Sequence, residues 1–187
     1  MSLLTQLGCQ SPSQQRGFTL IELLVSMAVA GILVAIGVPA FTSFIQNDRD
    51  ISQINSLVLS LNYARSEAVK RNVATGISVC PSLDAQTCSG SAWSSGWIVT
   101  DQSPPPTPAL QKTSSLSGSN TVTATGSATG ITFLSSGQVA NSVLTTIKIC
   151  DPRGAAFARD VEINSTGRVA ASQTPGQSVS GVALTCP

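Results

Sequence analysis

The sequence predicts an α+β fold, in which one long N-terminal helix packs against a C-terminal domain of antiparallel β-sheet. Three observations support this prediction. An apolar run of membrane-spanning length extends from Phe18 to about Phe44. A stripe of apolar side chains at helical spacing then continues to Ala68. Beyond Thr75 the pattern changes to short, β-branched runs that alternate with a period of two residues.

Three segments follow from this order. Residues 1–17 are polar and irregular, and we expect a leader without a fold of its own. Residues 18–45 hold the apolar run, and about 20 apolar residues cross a hydrocarbon core of roughly 30 Å. A secretory signal peptide would have a shorter apolar region with a small-residue cleavage site after it, so we expect this helix to be retained. Residues 46–187 form the remaining domain, and Arg16, the single charge before the helix, favours its export across the membrane.

Glu22 is the one strongly polar side chain between Phe18 and Val38. A carboxylate inside a transmembrane segment costs at least ~2.5 kcal/mol. Two interpretations remain open. Because Glu22 lies near the helix start, its side chain could extend to the lipid headgroups. Alternatively, it meets a cation from another chain, and cleavage between Gly17 and Phe18 would create such a cation as a new α-amino group.

The second half of the helix is predicted to be amphipathic and to end at about Arg71, followed by the termination signals Asn72 and Gly76. Pro39 lies inside the helix, where a kink or local melting is expected because proline lacks a backbone donor. The apolar stripe consists of Ile51, Ile54, Leu57, Val58, Leu61, Ala64 and Ala68. The polar residues expected largely on other faces are Arg49, Gln53, Ser60, Arg65 and Glu67.

Short strands bounded by Gly, Ser, Asn and Pro are predicted for the rest of the domain. Their expected ranges are 76–80, 97–99, 121–125, 131–134, 145–150, 159–163, 168–171 and 182–185. The proline-rich residues 104–108 predict an extended, exposed loop, and residues 164–167 predict a turn. Strands at this spacing favour antiparallel sheets whose apolar face is covered by the helix.

Five cysteines are present, and Cys9 falls within the expected leader. The other four lie beyond the membrane helix, in a compartment that would permit disulfides, and they allow three pairings. We expect Cys80–Cys88, which closes a short polar loop, and Cys150–Cys186, which ties the C-terminal tail to a strand. Free buried thiols are the alternative. A zinc site is not expected because no Cys-x-x-Cys pair exists.

The composition argues against enzymatic catalysis. The sequence has no histidine, which removes the commonest general base and the most frequent zinc ligand. No nucleophile–base pair, P-loop or dinucleotide-binding motif stands out, so we expect no cofactor and no metal. Asp151, Asp160 and Glu162 could form a calcium or acid/base cluster, but we expect them at solvated strand ends and loops. Trp93 and Trp97 are expected to pack in the core or at an interface.

The stretch Gly17-Phe18-Thr19-Leu20-Ile21-Glu22 resembles the cleavage and assembly motif of type IV pilins and type II secretion pseudopilins. The match comprises a glycine before the cut, a phenylalanine after it, a glutamate at the fifth mature position and an unbroken apolar helix with Pro39. The resemblance implies that a prepilin peptidase cleaves after Gly17 and methylates the new amine of Phe18. It also implies that Glu22, within an assembly segment that includes Pro39, helps to dock subunits into a filament.

The layout of the whole chain resembles the GspH/FimT group of minor pilins and pseudopilins. This resemblance rests on residues 61–71 (LNYARSEAVKR), a strand that ends in Cys80, and residues 163–168 (INSTGR). It implies a type IV pilin-like fold and a subunit without enzymatic activity. The implied partners are other pilin or pseudopilin subunits, the prepilin peptidase and the inner membrane. The implied location is a single membrane pass with a periplasmic C-terminal domain and, after assembly, the filament or its tip.

Some members of this group capture DNA through a C-terminal Gly-Arg-x-Arg element. The matching positions here begin with Gly167 and Arg168, and the second arginine is replaced by Ala170. Phosphate binding needs several cations acting together, whereas the net charge of this chain is only +1. The candidate DNA-binding cations are Lys148, Arg153, Arg159 and Arg168. We therefore expect a structural subunit of a filament tip or initiation complex, with binding of double-stranded DNA for natural transformation as the alternative.

Overall fold

The computed structural model describes residues 17–101, 108–127 and 129–186. The expected leader, apart from Gly17, and residues 104–107 of the proline-rich loop lie outside the described residues. The chain divides into two compact units, Met1–Thr42 and Ser43–Pro187. Its architecture is the predicted one, because a long helix, α1 (Leu20–Arg71), precedes short antiparallel strands.

Helix α1 contains 52 residues and ends at Arg71, as predicted. It continues through Pro39, so the local melting predicted there is absent. Proline removes only one of the many backbone hydrogen bonds of this helix, and the Thr42 hydroxyl donates to the Pro39 carbonyl oxygen at 2.8 Å. Asn72 follows the helix with a φ of 52°, and Gly76 has a φ of 84°. Both residues therefore lie in the left-handed region that ends helices, as predicted.

The second half of α1 buries its predicted stripe, with two differences. Ile54, Leu57, Leu61, Ala64 and Ala68 are buried, and Val58 is half-buried. Ile51 is exposed, because Asp50 and Gln53 take the buried positions at that level of the helix. Gln53, Ser60 and Glu67 are buried although the sequence predicts them largely on other faces, and each has a polar partner there.

The strands form two four-stranded antiparallel sheets. The first sheet has the order β3-β2-β1-β5 and the second sheet the order β4-β6-β7-β8. The strands are β1 (Ile77–Pro81), β2 (Trp97–Asp101), β3 (Gln111–Thr113), β4 (Thr121–Thr125), β5 (Ile131–Phe133), β6 (Thr145–Cys150), β7 (Arg159–Ile163) and β8 (Val169–Ala171). Seven of the predicted strands are confirmed, with ends that shift by at most two residues.

Two strand assignments differ from the prediction. Residues 182–185 are not a strand; they belong to a tight C-terminal hairpin in which Gln177 and Ala183 form an isolated bridge. The Ser178 N–H donates to the Val182 carbonyl oxygen at 2.8 Å, so this segment pairs with itself. Strand β3 was not predicted, because its sequence, Gln-Lys-Thr, has no apolar alternation and pairs only along the edge of the first sheet.

One hydrophobic core joins α1 to both sheets. The first sheet contributes Ile77, Val79, Trp97, Val99, Ile131 and Phe133, and the second contributes Ile147, Ile149, Val161 and Ile163. Trp93 and Trp97 are both buried, as predicted. Because side chains alternate along a strand, Lys148, Asp160 and Glu162 project from the opposite face of the second sheet, which we call the outer face.

Two disulfides join the cysteines that the sequence argument pairs. Cys80 on β1 is bonded to Cys88, with Cα atoms 5.5 Å apart. Cys150 at the end of β6 is bonded to Cys186, with Cα atoms 5.9 Å apart. The second bond fastens the C-terminal segment to the second sheet, and the alternative of free buried thiols does not apply to these four residues.

Candidate assembly segment and basic residues

Gly17 and Phe18 lie immediately before α1 and are exposed. A Cβ atom added to Gly17 would meet no atom within 4 Å, and Phe18 is 83% exposed. Thr19 is the N-cap of the helix, because its hydroxyl accepts a hydrogen bond from the Glu22 backbone N–H at 3.2 Å. Thr19 was not among the predicted site residues. The signal that identifies it is the spacing Thr-x-x-Glu, the sequence pattern of a capping box.

The first unit exposes the whole apolar half of α1. Every residue from 20 to 42 is exposed, including large side chains such as Leu20 and Ile36, at 76% and 70%. Among the described residues, α1 is the one helix that is long and apolar enough to cross a membrane. Apolar surface in water costs about 25 cal/mol per Å². This segment therefore requires lipid or apolar surface from other chains to cover it.

Glu22 belongs to one face of this exposed helix. The face is otherwise apolar or small, and it comprises Ile21, Val25, Ser26, Val29, Ala30 and Leu33 in addition to Glu22. Ser26 satisfies its own hydroxyl by donating to the Leu23 carbonyl oxygen at 2.8 Å. Glu22 is thus the one charged group on a surface suited to pack against another helix.

In the second unit, Arg153 is the centre of a polar network. Its guanidinium donates to Asp151 at 2.7 and 2.8 Å and to Asn47 at 2.9 Å, and it lies 3.3 Å from Asp50. The Asn120 amide donates to Asp50 at 2.7 Å. Arg153, a predicted DNA-binding cation, is thereby committed to holding loops of the domain against α1.

The two carboxyl groups of this network differ in acidity. Burial raises the pKa of Asp50 to about 6, and the neighbouring Asp151 raises it further, because its negative charge and the hydrogen bond it accepts both favour the protonated form of Asp50. The Arg153 side chain, which donates hydrogen bonds to Asp151, lowers the pKa of that carboxyl to about 2. Asp151 is 6% exposed, so the expectation of a solvated loop residue is wrong for this position. It is buried because Arg153 neutralises it.

Lys148 and Arg159 lie on different faces of the second sheet. Lys148 is directly opposite Asp160 on the outer face, whereas Arg159 is opposite Ile149, whose side chain is in the core. The Lys148 ammonium donates to the carbonyl oxygen of Thr185. Asp160 is wholly buried rather than solvated, while Glu162 is half-buried. The structure therefore does not gather the four predicted cations into one surface.

Arg65 connects α1 to the predicted turn at residues 164–167. Its Nε donates to the Gly137 carbonyl oxygen at 3.0 Å, and its Nη2 to the Thr166 carbonyl oxygen at 3.3 Å. The turn is closed by the Gly167 N–H, which donates to the Asn164 carbonyl oxygen at 2.9 Å. The two sequence stretches 61–71 and 163–168 thus meet in space, and their contact is structural.

Arg168 follows this turn and is exposed. Within the part of the chain that the structure describes, its side chain makes no hydrogen bond or ion pair. Its backbone N–H donates to the Asn164 side chain at 2.9 Å. Of the four predicted cations, Arg168 is the one that is exposed; Arg159, whose side chain also makes no hydrogen bond or ion pair within the described residues, is half-buried.

Two family models match the chain. The model described as Type II transport protein GspH matches residues 53–167, which is more than half of the chain. The model described as the prokaryotic N-terminal methylation motif matches residues 12–38 and therefore includes Gly17, Phe18 and Glu22.

Two curated proteins are similar over part of the chain. The type IV narrow pilus major component PilA5 of Thermus thermophilus is 34% identical over 88 residues, which cover 47% of this chain and 73% of that protein. The type IV major fimbrial protein FimA of Dichelobacter nodosus is 35% identical over 78 residues, which cover 42% of this chain and 44% of that protein. The similarity to FimA thus extends over less than half of its length.

Solved structures agree with the fold. The type IV minor pilin FimU of Pseudomonas aeruginosa has been solved in two crystal forms, and both are 23% identical to this chain. The TM-scores are 0.53 and 0.55, and the matches cover 65% and 70% of this chain. They cover 90% and 98% of the FimU chains, so nearly the whole FimU fold has a counterpart here.

Proposed function

Because this chain belongs to the GspH family of type IV pilin-like proteins, we propose that it is a minor pilin or pseudopilin. In this proposal the chain is processed between Gly17 and Phe18 and joins the tip or initiation complex of a pilus or secretion pseudopilus. The observation that supports it most is the exposed apolar half of α1 with the single carboxylate of Glu22 near its start. Subunits of this family are structural, and we assign no catalytic role.

The chemistry of Glu22 gives this proposal its mechanism. An ionised carboxylate at membrane depth is costly, so it favours a state in which a cation lies beside it. Removal of residues 1–17 would place a new α-amino group on Phe18, at the start of the same apolar helix. A neighbouring subunit could then supply that amino group to Glu22, while the apolar faces of the two helices cover each other.

The proposed location follows from the same division of the chain. Residues 18–45 would lie in the inner membrane before assembly and in the filament core after it. Residues 46–187 would face the periplasm, an oxidising compartment in which the disulfides Cys80–Cys88 and Cys150–Cys186 are stable. The prepilin peptidase and other pilin or pseudopilin subunits are the proposed partners.

Substitutions of Glu22 test whether its charge is needed for insertion of the chain into the membrane or for its assembly into filaments. We expect Glu22→Ala and Glu22→Gln to remain in the membrane fraction in wild-type amounts and to be depleted at least tenfold from sheared filaments or cross-linked complexes. Ser26→Ala is the matched control, because Ser26 lies one turn away on the same face and carries no charge. Both fractions are quantified by immunoblot.

Three outcomes would contradict the charge-pairing mechanism. Normal incorporation of Glu22→Gln would show that the charge is not needed. Equal depletion of Ser26→Ala would show that any change to this face disturbs packing. Loss of Glu22→Ala from the membrane fraction would move the defect to insertion and would likewise remove the support for pairing.

Capture of double-stranded DNA is the second candidate, and the exposed side chain of Arg168 favours it. Two observations argue against DNA capture. The side chains of Lys148 and Arg153 are bound to Thr185 and Asp151. Lys148 and Arg159 lie on opposite faces of the second sheet. Arg168, as the one exposed arginine of the four, provides few of the phosphate contacts on which such binding depends.

A gel-shift assay of the full chain in detergent with duplex DNA distinguishes the candidates. Micromolar binding that weakens with salt, is lost in Arg168→Ala and is retained in Lys112→Ala would favour DNA capture. Lys112 is the control because it is an exposed cation on the first sheet. We expect no binding that depends on Arg168.

A further inference from the structure

Asp160 is a buried carboxylate without a hydrogen-bond partner in the described part of the chain. It is 0% exposed, and neither of its carboxylate oxygens has a hydrogen-bond partner among the described residues. The Ser172 hydroxyl accepts a hydrogen bond from the backbone N–H of Asp160 at 3.1 Å rather than donating one to its carboxylate. An ionised carboxylate in such a place is expensive, so a buried acid is normally paired, protonated or bound to a cation.

The carboxylate lines a cavity of about 240 Å³ on the outer face of the second sheet. Strands β4, β6 and β7 form the floor, and the C-terminal segment, residues 177–185, which includes the hairpin, forms the cover. The polar side chains of this cavity are two carboxylates, four hydroxyl groups and one ammonium group. They belong to Asp160, Glu162, Thr123, Thr125, Thr146, Ser178 and Lys148.

Lys148 does not neutralise these carboxylates. Although it is directly opposite Asp160 across the β6–β7 pair, no ion pair joins its ammonium to Asp160 or Glu162 in the described structure. The ammonium donates to the Thr185 carbonyl oxygen instead, at the C-terminal end of the cover. The cavity therefore combines two negative charges with a lysine that is directed to another acceptor.

Burial raises the pKa of Asp160, and the charge of Glu162 raises it further. The Ser172 hydroxyl and the Val179 N–H face the carboxyl and lower its pKa, but neither completes a hydrogen bond to it. A neighbour that neutralises the charged form would have to be a cation. Lys148 lies close enough along the sheet to be one, but its ammonium is held by Thr185.

We propose that this cavity binds a hard divalent cation, with Asp160 and Glu162 as its charged ligands and hydroxyl groups, backbone carbonyls and water completing the shell. The donors are all oxygen, which suits Ca²⁺ or Mg²⁺ rather than zinc or copper. Ca²⁺ fits better, because it accepts six to eight oxygens in irregular geometry, whereas Mg²⁺ demands a near-ideal octahedron. No cluster of three or more His, Cys, Asp or Glu occurs among the described residues, so the affinity should be modest.

The proposed site would couple the cation to the C-terminal cover. Ser178, Val182 and Leu184 line the cavity from above, so an ion beneath them would fasten the hairpin to the sheet. The disulfide Cys150–Cys186 and the Lys148–Thr185 hydrogen bond already hold the far end of that segment. Cation binding would therefore hold the hairpin against the sheet at Ser178 and Val182, away from the end that Cys186 and Thr185 fasten. This inference does not depend on the machine in which the subunit works.

Calorimetric titration of the full chain in detergent, stripped with EDTA, with CaCl₂ tests the site. We expect a Kd between about 0.1 and 1 mM, as in other extracytoplasmic calcium modules. At ten times Kd the Tm should rise by about 3–6 °C. Asp160→Asn should lower the affinity at least tenfold, Glu162→Gln should lower it less, and MgCl₂ should bind more weakly.

Asp48→Asn is the matched control, because Asp48 is an exposed carboxylate on α1 and not part of the cavity. Circular dichroism checks that each variant is folded. Absence of saturable Ca²⁺ binding in the wild-type chain up to about 10 mM would overturn the proposal, because that exceeds the weakest calcium modules. Equal Ca²⁺ affinity in Asp160→Asn and Asp48→Asn would overturn it too, since the bound ion would then lie elsewhere.

Discussion

The indole nitrogen of Trp97 donates a hydrogen bond to the hydroxyl oxygen of Ser60 at 3.0 Å. The bond joins β2 to the buried face of α1, where Ser60 is 0% and Trp97 2% exposed. Ser60 in turn donates its hydrogen to the Ser56 carbonyl oxygen at 2.9 Å. One small polar residue thus allows a tryptophan to be buried in the core without an unsatisfied N–H group.

Ser60→Ala should therefore destabilise the domain. The substitution leaves the Trp97 N–H buried without an acceptor, at a cost of about 1–3 kcal/mol. Urea unfolding followed by tryptophan fluorescence measures the effect. Ser66→Ala is the matched control, because Ser66 makes the same kind of hydrogen bond to a helix carbonyl at 2.8 Å but is exposed. A free energy of unfolding for Ser60→Ala equal to that of Ser66→Ala would contradict this account.

Gly167 should not tolerate a side chain. It has a φ of 77°, and an added Cβ would lie 2.0 Å from the Gly137 carbonyl oxygen, which Arg65 also binds. Gly181→Ala is the control, because Gly181 has a similar φ of 83° with open space around it. The control should lose about 1–2 kcal/mol from backbone strain alone, and Gly167→Ala should lose clearly more. Equal losses in thermal unfolding would show that the turn is not packed as described.

The network around Arg153 predicts a pH dependence of stability. The pKa of Asp50 is about 6 in the folded chain, above its ordinary value of 3.8, so the folded state holds the proton more tightly. The contribution of Asp50 is therefore complete below about pH 3.8 and is lost as the pH rises through 6. Asp151 has the opposite sign: its pKa of about 2 gives stability above pH 3.8 that is lost as the pH falls toward 2.

Asp50→Asn isolates the first of these effects. The wild-type chain should lose stability between pH 5 and 7, and part of that loss should disappear in the variant. Asp160 contributes to the pH dependence with the same sign, because burial raises its pKa as well. Chemical unfolding at pH 5, 6 and 7 measures the slopes, with Asp48→Asn as an exposed control on the same helix. If the free energy of unfolding changed with pH equally in the wild type and in Asp50→Asn, the raised pKa of Asp50 would be contradicted.

Most of the fold could be predicted from the sequence because its signals are local. Three local signals each determine their own element: the apolar run that begins at Phe18, the helical stripe from Ile54 to Ala68, and the β-branched runs of β4, β6 and β7. Burial of polar residues was not predictable in this way. Ser60 and Gln53 are buried because Trp97, Ser117 and Asn120, all distant in sequence, supply partners.

The candidate site also has a part that could be predicted from the sequence and a part that could not. The junction Gly17–Phe18 and the carboxylate of Glu22 are readable from sequence, because their meaning depends on order along one helix. Whether a basic side chain is free to bind a ligand cannot be read from the sequence. Lys148 and Arg153 are bound to Thr185 and Asp151, and these contacts depend on the three-dimensional fold. Asp160 was expected in solvent because strand ends are usually exposed, and it is buried because the C-terminal hairpin folds back over it.

The central claim is that this chain is processed and then assembled through its first helix. Mass spectrometry of the N-terminal peptide, from the chain recovered from membranes of cells with an active prepilin peptidase, tests this claim most directly. We expect a peptide that begins at Phe18 with a methylated α-amino group, and an uncleaved chain when Gly17 is replaced by valine. A wild-type chain that retains residues 1–17, or one that begins at any residue other than Phe18, would contradict it.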